Sequence, residues 1–166
     1  MRNYLYVFLI AMIPLVELRG AIPVAYGIKA ALANPEEFSL LWAYIVIAVG
    51  NMLPVPFIFF FARKVLEWGK DKKLTGRFFT WCLEKGHKGG EKLQAKAGRG
   101  LYVALLLFVG IPLPGTGAWT GTLAASILNM DFKKSIIAVI GGIVLAALIV
   151  GIVCTLGFGA IFGINA

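Results

Sequence analysis

The sequence predicts an all-α integral membrane protein made of two inverted repeats, each a re-entrant helical hairpin followed by a transmembrane helix, with a basic amphipathic linker between them. Three observations carry that prediction. Of the 166 residues 60% are hydrophobic and the mean hydropathy is +0.86, too apolar for a water-soluble domain with a charged surface. Two runs without a charge, Ser39 to Ala62 and Ser135 to Gly157, have 24 and 23 residues. At about 1.5 Å per residue each crosses a hydrocarbon core of about 30 Å. Finally, two Pro/Gly-rich stretches, 13–23 and 110–121, interrupt the apolar sequence at corresponding places in its two halves. Proline removes a backbone donor, and lipid tolerates unpaired peptide groups only where they line a protein cavity. Paired interruptions of this kind point to a transporter's binding site.

The first repeat is expected over 1–62. Tyr4 to Val16 follows Met1-Arg2-Asn3 and imitates a secretory signal, but Glu17 and Arg19 stand directly behind it and Ala31-Leu32-Ala33 lies too far on for a cleavage site. It is therefore read as membrane structure. Tyr4 to Val16 and Ala21 to Ala33 are each about 20 Å long as helices, too short to cross alone. Together they flank the first broken stretch and form a re-entrant element over 4–33. The span 39–62 carries Gly50, Asn51, Pro54 and Pro56, which predict a kinked helix with Asn51 buried and bonded across helices.

Next comes the linker, 63–100. It holds 11 of the 16 Lys and Arg residues, and much of the formal charge of +8 therefore sits in one polar stretch. That distribution reads as a cytoplasmic loop beside anionic membrane lipids, not as a nucleic-acid surface. Val65, Leu66, Trp68, Leu74, Phe78, Phe79, Trp81 and Leu83 among the charges fit amphipathic helices at the interface. His87 reads as a solvated loop residue. Cys82 and Cys154 offer neither a disulfide framework nor a metal spacing.

The second repeat, 101–166, repeats the plan with a re-entrant element over 101–130 and a span over 135–157. Its half-helices, Leu101 to Val109 and Thr122 to Met130, are about 14 Å long. Ile13-Pro14-Leu15 recurs as Ile111-Pro112-Leu113, and Phe38 before one span matches Phe132 before the other. In the span, Gly142/Ala146 and Ala147/Gly151 permit close helix contact, within the chain or in a homodimer. Lys133-Lys134 joins the linker on the cytoplasmic side, whereas Glu36-Glu37 has no basic neighbour; both termini are then outside and the hairpins enter from opposite faces. The rival topology bends each broken segment into a full crossing, giving four spans with both termini inside.

Glu17 and Arg19 are the leading candidates for chemistry, because an ionised side chain at membrane depth costs at least about 2.5–3.5 kcal/mol and faces a cavity or a partner. Residues two apart do not face each other on a regular helix, so a direct pair needs irregular backbone at Gly20 and Pro23; otherwise each finds a separate partner, such as Asn51 or Thr116. In one reading they cap the broken helix ends. In the other, Arg19 and helix amides bind an anionic group while Glu17 exchanges a proton. Around them the candidate site takes in Pro112, Pro114, Gly115, Thr116, Gly117, Trp119 and Thr120, with glycines for close backbone approach, two hydroxyls and one stacking ring. Gly-x-Gly here follows an apolar helix without a P-loop lysine, so it is no nucleotide cradle. No catalytic set, metal-ligand cluster or cofactor motif accompanies it, and the reading is non-enzymatic.

Glu17-Leu18-Arg19-Gly20-Ala21-Ile22-Pro23 together with the stretch from Gly110 to Gly121 resembles the signature of the small multidrug export protein family, a distant relative of the DedA superfamily of VTT-domain proteins. The resemblance covers nearly the whole chain. It implies two re-entrant loops and transmembrane helices in inverted halves, in a multi-pass protein of the cell membrane. It also implies transport of a small amphiphilic substrate, with a lipid flippase or scramblase as the alternative and a membrane scaffold as the second. The DedA relatives carry arginine in the second loop, where this chain has Thr116 and Thr120, so Arg19 alone supplies the buried positive charge.

Overall fold

A computed structural model describes residues 1–14, 16–69, 76, 80, 100–113 and 115–162. Leu15, Pro114, Cys82, His87 and most of the linker lie outside the described residues. Every regular element among those described is helical: α1 (Arg2–Ala11), α2 (Glu17–Ala31), a single 3-10 turn (Pro35–Glu37), α3 (Leu40–Met52), α4 (Val55–Gly69), α5 (Gly100–Gly110), α6 (Ala118–Ile127) and α7 (Phe132–Phe162). Two stretches are long and apolar enough to cross a membrane, Leu40–Phe61 with a mean hydropathy of 2.0 and Phe132–Phe158 with 3.1.

Four details differ from expectation. Helices α2 and α6 both begin four residues earlier than Ala21 and Thr122, so Gly20, Pro23 and Gly121 are helical and not part of the breaks. Gly121 serves packing: a Cβ there would come within 2.6 Å of Val109 Cγ2 and 3.2 Å of Leu105 Cδ1. The expected kink in the first span is a full interruption at Leu53-Pro54, where proline has no N–H for the ladder. Helix α4 then continues past Ala62, through Arg63-Lys64, to Gly69.

The spans run antiparallel. Leu40, Leu41 and Tyr44 at the start of α3 lie beside Leu148, Ile152 and Leu156 late in α7. At the other end, Phe59 and Phe60 of α4 stack on Phe132 at the start of α7, with ring centroids 5.0 and 4.6 Å apart. Helix α1 packs on α3 as α5 packs on α7, while each returning helix lies against the opposite span, α2 on α7 and α6 on α4. The polar contacts of those exchanges are Tyr26 OH to Thr155 Oγ1 at 2.7 Å and Ser126 Oγ donating to Phe59 O at 2.6 Å.

Several contacts occur twice, the short-helix partners 98 positions apart and the span partners 92 apart. The Tyr4 hydroxyl accepts from the Ser39 N–H just before α3 (2.9 Å), and the Tyr102 hydroxyl from the Asp131 N–H just before α7 (3.4 Å). A Cβ on Gly50 would lie 2.8 Å from Phe8 O and 3.4 Å from the Ala11 Cβ; one on Gly142 would lie 2.8 Å from Leu106 O and 2.6 Å from the Val109 Cβ. Lipid offers no hydrophobic drive between helices, so van der Waals contact at such glycines is what holds each short helix to its span. The small residues of α7 are likewise used within the chain. Gly142 is occupied by α5, Gly151 sits against the Tyr44 ring, and Ala146 is fully buried within the chain.

Candidate functional site

The two breaks meet in the interior. After α1, the Met12 and Ile13 N–H groups close short turns onto Leu9 O and Ile10 O, and Glu17 then opens α2 at φ +50°, a left-handed conformation that costs a non-glycine residue about 1–3 kcal/mol. That conformation turns its carboxylate into the other half. Glu17 is 2% exposed, and it accepts from the Ala118 N–H (2.8 Å, Oε2) and the Trp119 N–H (3.2 Å, Oε1), the first two amides of α6. A helix N-terminus leaves its amides unpaired and carries partial positive charge, so the carboxylate answers both. The residue before α6 is Gly117, which has no side chain to cap with. A Cβ there would lie 2.5 Å from Glu17 Oε2, so glycine is what admits the carboxylate.

Arg19 answers the opposite end. Its guanidinium donates to Val109 O (3.2 Å), Ile111 O (3.3 Å) and Leu113 O, at and beyond the C-terminus of α5. Three carbonyls at the end of α5 thus meet a planar cation whose fork matches them. Thr116 Oγ1 donates to two of the same acceptors, Ile111 O (3.0 Å) and Leu113 O (2.9 Å). Glu17 and Arg19 therefore face different partners and form no ion pair with each other. Of the two roles drawn for them from sequence, the hydrogen bonds in place are those of caps.

The remaining candidates fall around this crossing in different ways. Asn51 in α3 is fully buried and faces the Glu17 carboxylate, with both amide atoms outside hydrogen-bond geometry among the described residues. Trp119 Nε1 and Arg19 Nε are likewise buried and unpartnered. Thr120 Oγ1 turns back to Gly117 O at 3.4 Å, and Gly115, at φ +79°, makes the turn between Pro112 and Thr116. Gly20 packs against Val16 and Pro23 is half-buried within α2, so both shape the helix without facing the crossing polar atoms. Pro114 lies outside the described residues. Sequence reasoning missed Tyr4 and Tyr102 as paired anchors, although each stands at the same distance before Pro14 or Pro112. Among the described residues no group of three or more His, Cys, Asp or Glu side chains gathers to hold a metal.

No curated protein and no solved structure matches the chain. A family match does. It runs over residues 17–149, from the carboxylate at the crossing to the middle of α7, so it takes in both caps, the second break and the contact of Gly142 with α5. The chain belongs to the family described as "Putative small multi-drug export protein", and is a helical membrane protein of that family.

Proposed function

We propose that the protein is a proton-coupled transporter of small amphiphilic substrates, built from two inverted repeats whose re-entrant hairpins meet near the bilayer midplane. The antiparallel spans, the exchange of returning helices and the repeated tyrosine and glycine contacts support the inverted arrangement. In this reading α1 and α2 enter and leave on one face of the membrane, and α5 and α6 on the other.

One observation carries the transport reading: a buried carboxylate holds the N-terminus of α6 beside an asparagine with no partner. An ionised Glu17 accepts two charge-assisted bonds, whereas a protonated one gives up acceptor capacity and gains a donor. Proton binding thereby loosens α6 from α2 and offers Asn51, Trp119 Nε1 and the freed amides to a substrate. Arg19 keeps the end of α5 fixed while this happens. The scheme makes Glu17 a gate as well as a cap.

The test is transport of a cationic dye by reconstituted protein under an imposed pH gradient. Glu17→Gln keeps the size and one acceptor oxygen but cannot exchange the proton, so gradient-driven flux is expected to vanish while the folded fraction is retained. Folded Glu17→Gln with wild-type flux refutes the gate. Movement of labelled lipid by the wild type in the absence of dye would replace the drug reading with a flippase.

A further inference from the structure

We propose that the groove between α3 and α7, on the far side of α2 from the crossing, binds the headgroup and upper acyl chain of a zwitterionic phospholipid. The groove has a volume of about 770 Å³, within the usual range of small-molecule sites. Its walls belong to the two membrane-spanning stretches, and the wall residues Leu41, Leu148, Ile152 and Leu156 are 59–72% exposed, so it opens toward lipid. The Tyr26–Thr155 hydrogen bond joins α2 to α7 along its floor, and Tyr44 lies against Gly151 beside it. It shares no lining residue with the crossing.

Charge selects the occupant. At the mouth stand Lys29, near the end of α2, and Glu36, in the 3-10 turn. Neither makes an ion pair or a hydrogen bond with any other described residue, and they do not pair with each other. Lys29 alone has an ordinary explanation, since a cation near a helix C-terminus suits the macrodipole. Glu36 is exposed in the first turn of the 3-10 helix and has no side-chain partner among the described residues either. An unpaired cation and an unpaired anion on the rim of one apolar groove match a ligand with an anion and a cation on an apolar tail. A phosphate bridged to an ammonium, as in phosphatidylethanolamine, meets both charges at once. Phosphatidylglycerol would satisfy Lys29 and set a hydroxyl against Glu36, and diacylglycerol would satisfy neither. The tyrosine and serine hydroxyls of Tyr26, Tyr44 and Ser39 suit the level of the headgroups, where amphipathic rings concentrate in membrane proteins.

Native mass spectrometry of the full chain in detergent, titrated with phosphatidylethanolamine, phosphatidylglycerol or diacylglycerol, reads this directly. Wild type is expected to retain one phosphatidylethanolamine per chain and to prefer it about tenfold over diacylglycerol, the factor expected for a charge-assisted contact. Lys29→Glu and Glu36→Lys should each abolish the preference, and the double exchange should restore it, because the pair of charges is then reversed but still complementary. Leu148→Trp should block retention by filling the groove with both charges intact. Equal retention of diacylglycerol, single variants that bind like wild type, or a chain dimer whose loss accompanies Leu148→Trp would each overturn the assignment. Because the readout is binding, it stands or falls independently of dye transport.

Discussion

The two breaks occupy equivalent places yet are made of opposite materials. The first carries side-chain charge: Glu17 and Arg19 reach out of it, and both end on the second break. The second contributes backbone, the amides of α6 and the carbonyls at the end of α5, with Gly115 making a turn at φ +79° and Gly117 standing where a side chain would obstruct. Around them the scaffold is nearly duplicated, with tyrosine anchors and glycine contacts in both halves. The difference teaches that asymmetry where two broken helices meet lets each half satisfy the other. Had both breaks carried a glutamate, two carboxylates would compete for one interior; had neither, the first amides of α6 would remain open.

The largest effect should come from breaking the charged side of that division. Arg19→Ala removes the charged donors that reach three carbonyls at the end of α5, so a loss of about 3 kcal/mol is expected in denaturant unfolding of the detergent-solubilised protein. Arg19→Lys should recover part of it, since a point charge reaches fewer carbonyls than a planar fork. A loss under about 0.5 kcal/mol, the range of surface substitutions, would mean that the carbonyls are satisfied otherwise.

A smaller effect tests the backbone side. Gly117→Ala places a methyl where Glu17 now sits, at φ +155°, and should cost about 2 kcal/mol. The sharper expectation is its dependence on Glu17. In a Glu17→Ala background the methyl meets nothing at the carboxylate position, so the two changes should couple by about 1 kcal/mol or more. Strict additivity would show that Gly117 is required for its own conformation and not for the cap.

Much of this arrangement was legible in the sequence because it depends on local chemistry. Uncharged runs of membrane length placed both spans to within a few residues, and proline with glycine placed both breaks. What was not legible is what depends on long-range meeting. Glycine has the same letter whether it frees a turn, as at Gly115, or admits a neighbour, as at Gly121, and counting Gly20 and Gly121 within the broken stretches set α2 and α6 four residues late. Glu17 and Arg19 stood out as costly charges, but their partners lie some hundred positions away, and nothing local in the chain pairs a carboxylate with Ala118. Asn51 was recognised as buried; its lack of a hydrogen bond follows only once Glu17 is already committed to α6.

The smallest expected effect bears on how far the two halves are equivalent. Tyr4 and Tyr102 do the same task, each hydroxyl taking the N–H that precedes a span, where the first amides of a helix lack partners. The geometry is unequal: 2.9 Å at Ser39 and 3.4 Å at Asp131, the latter beyond the usual range of an N–H to oxygen bond. Tyr4 also stacks on Phe38 at 4.8 Å, whereas Tyr102 lies under the Lys134 ammonium at 5.8 Å, and phenylalanine retains both ring contacts. Tyr→Phe therefore isolates the hydroxyl. Tyr4→Phe should cost about 1 kcal/mol, the net worth of an ordinary hydrogen bond, and Tyr102→Phe less than half of that. Hydrogen exchange at the Ser39 and Asp131 amides gives the same comparison without unfolding the protein: the Tyr4→Phe variant should speed exchange at Ser39 more than Tyr102→Phe speeds it at Asp131. Equal losses and equal exchange would make the anchors energetically identical, leaving the asymmetry of the protein confined to the residues at the crossing.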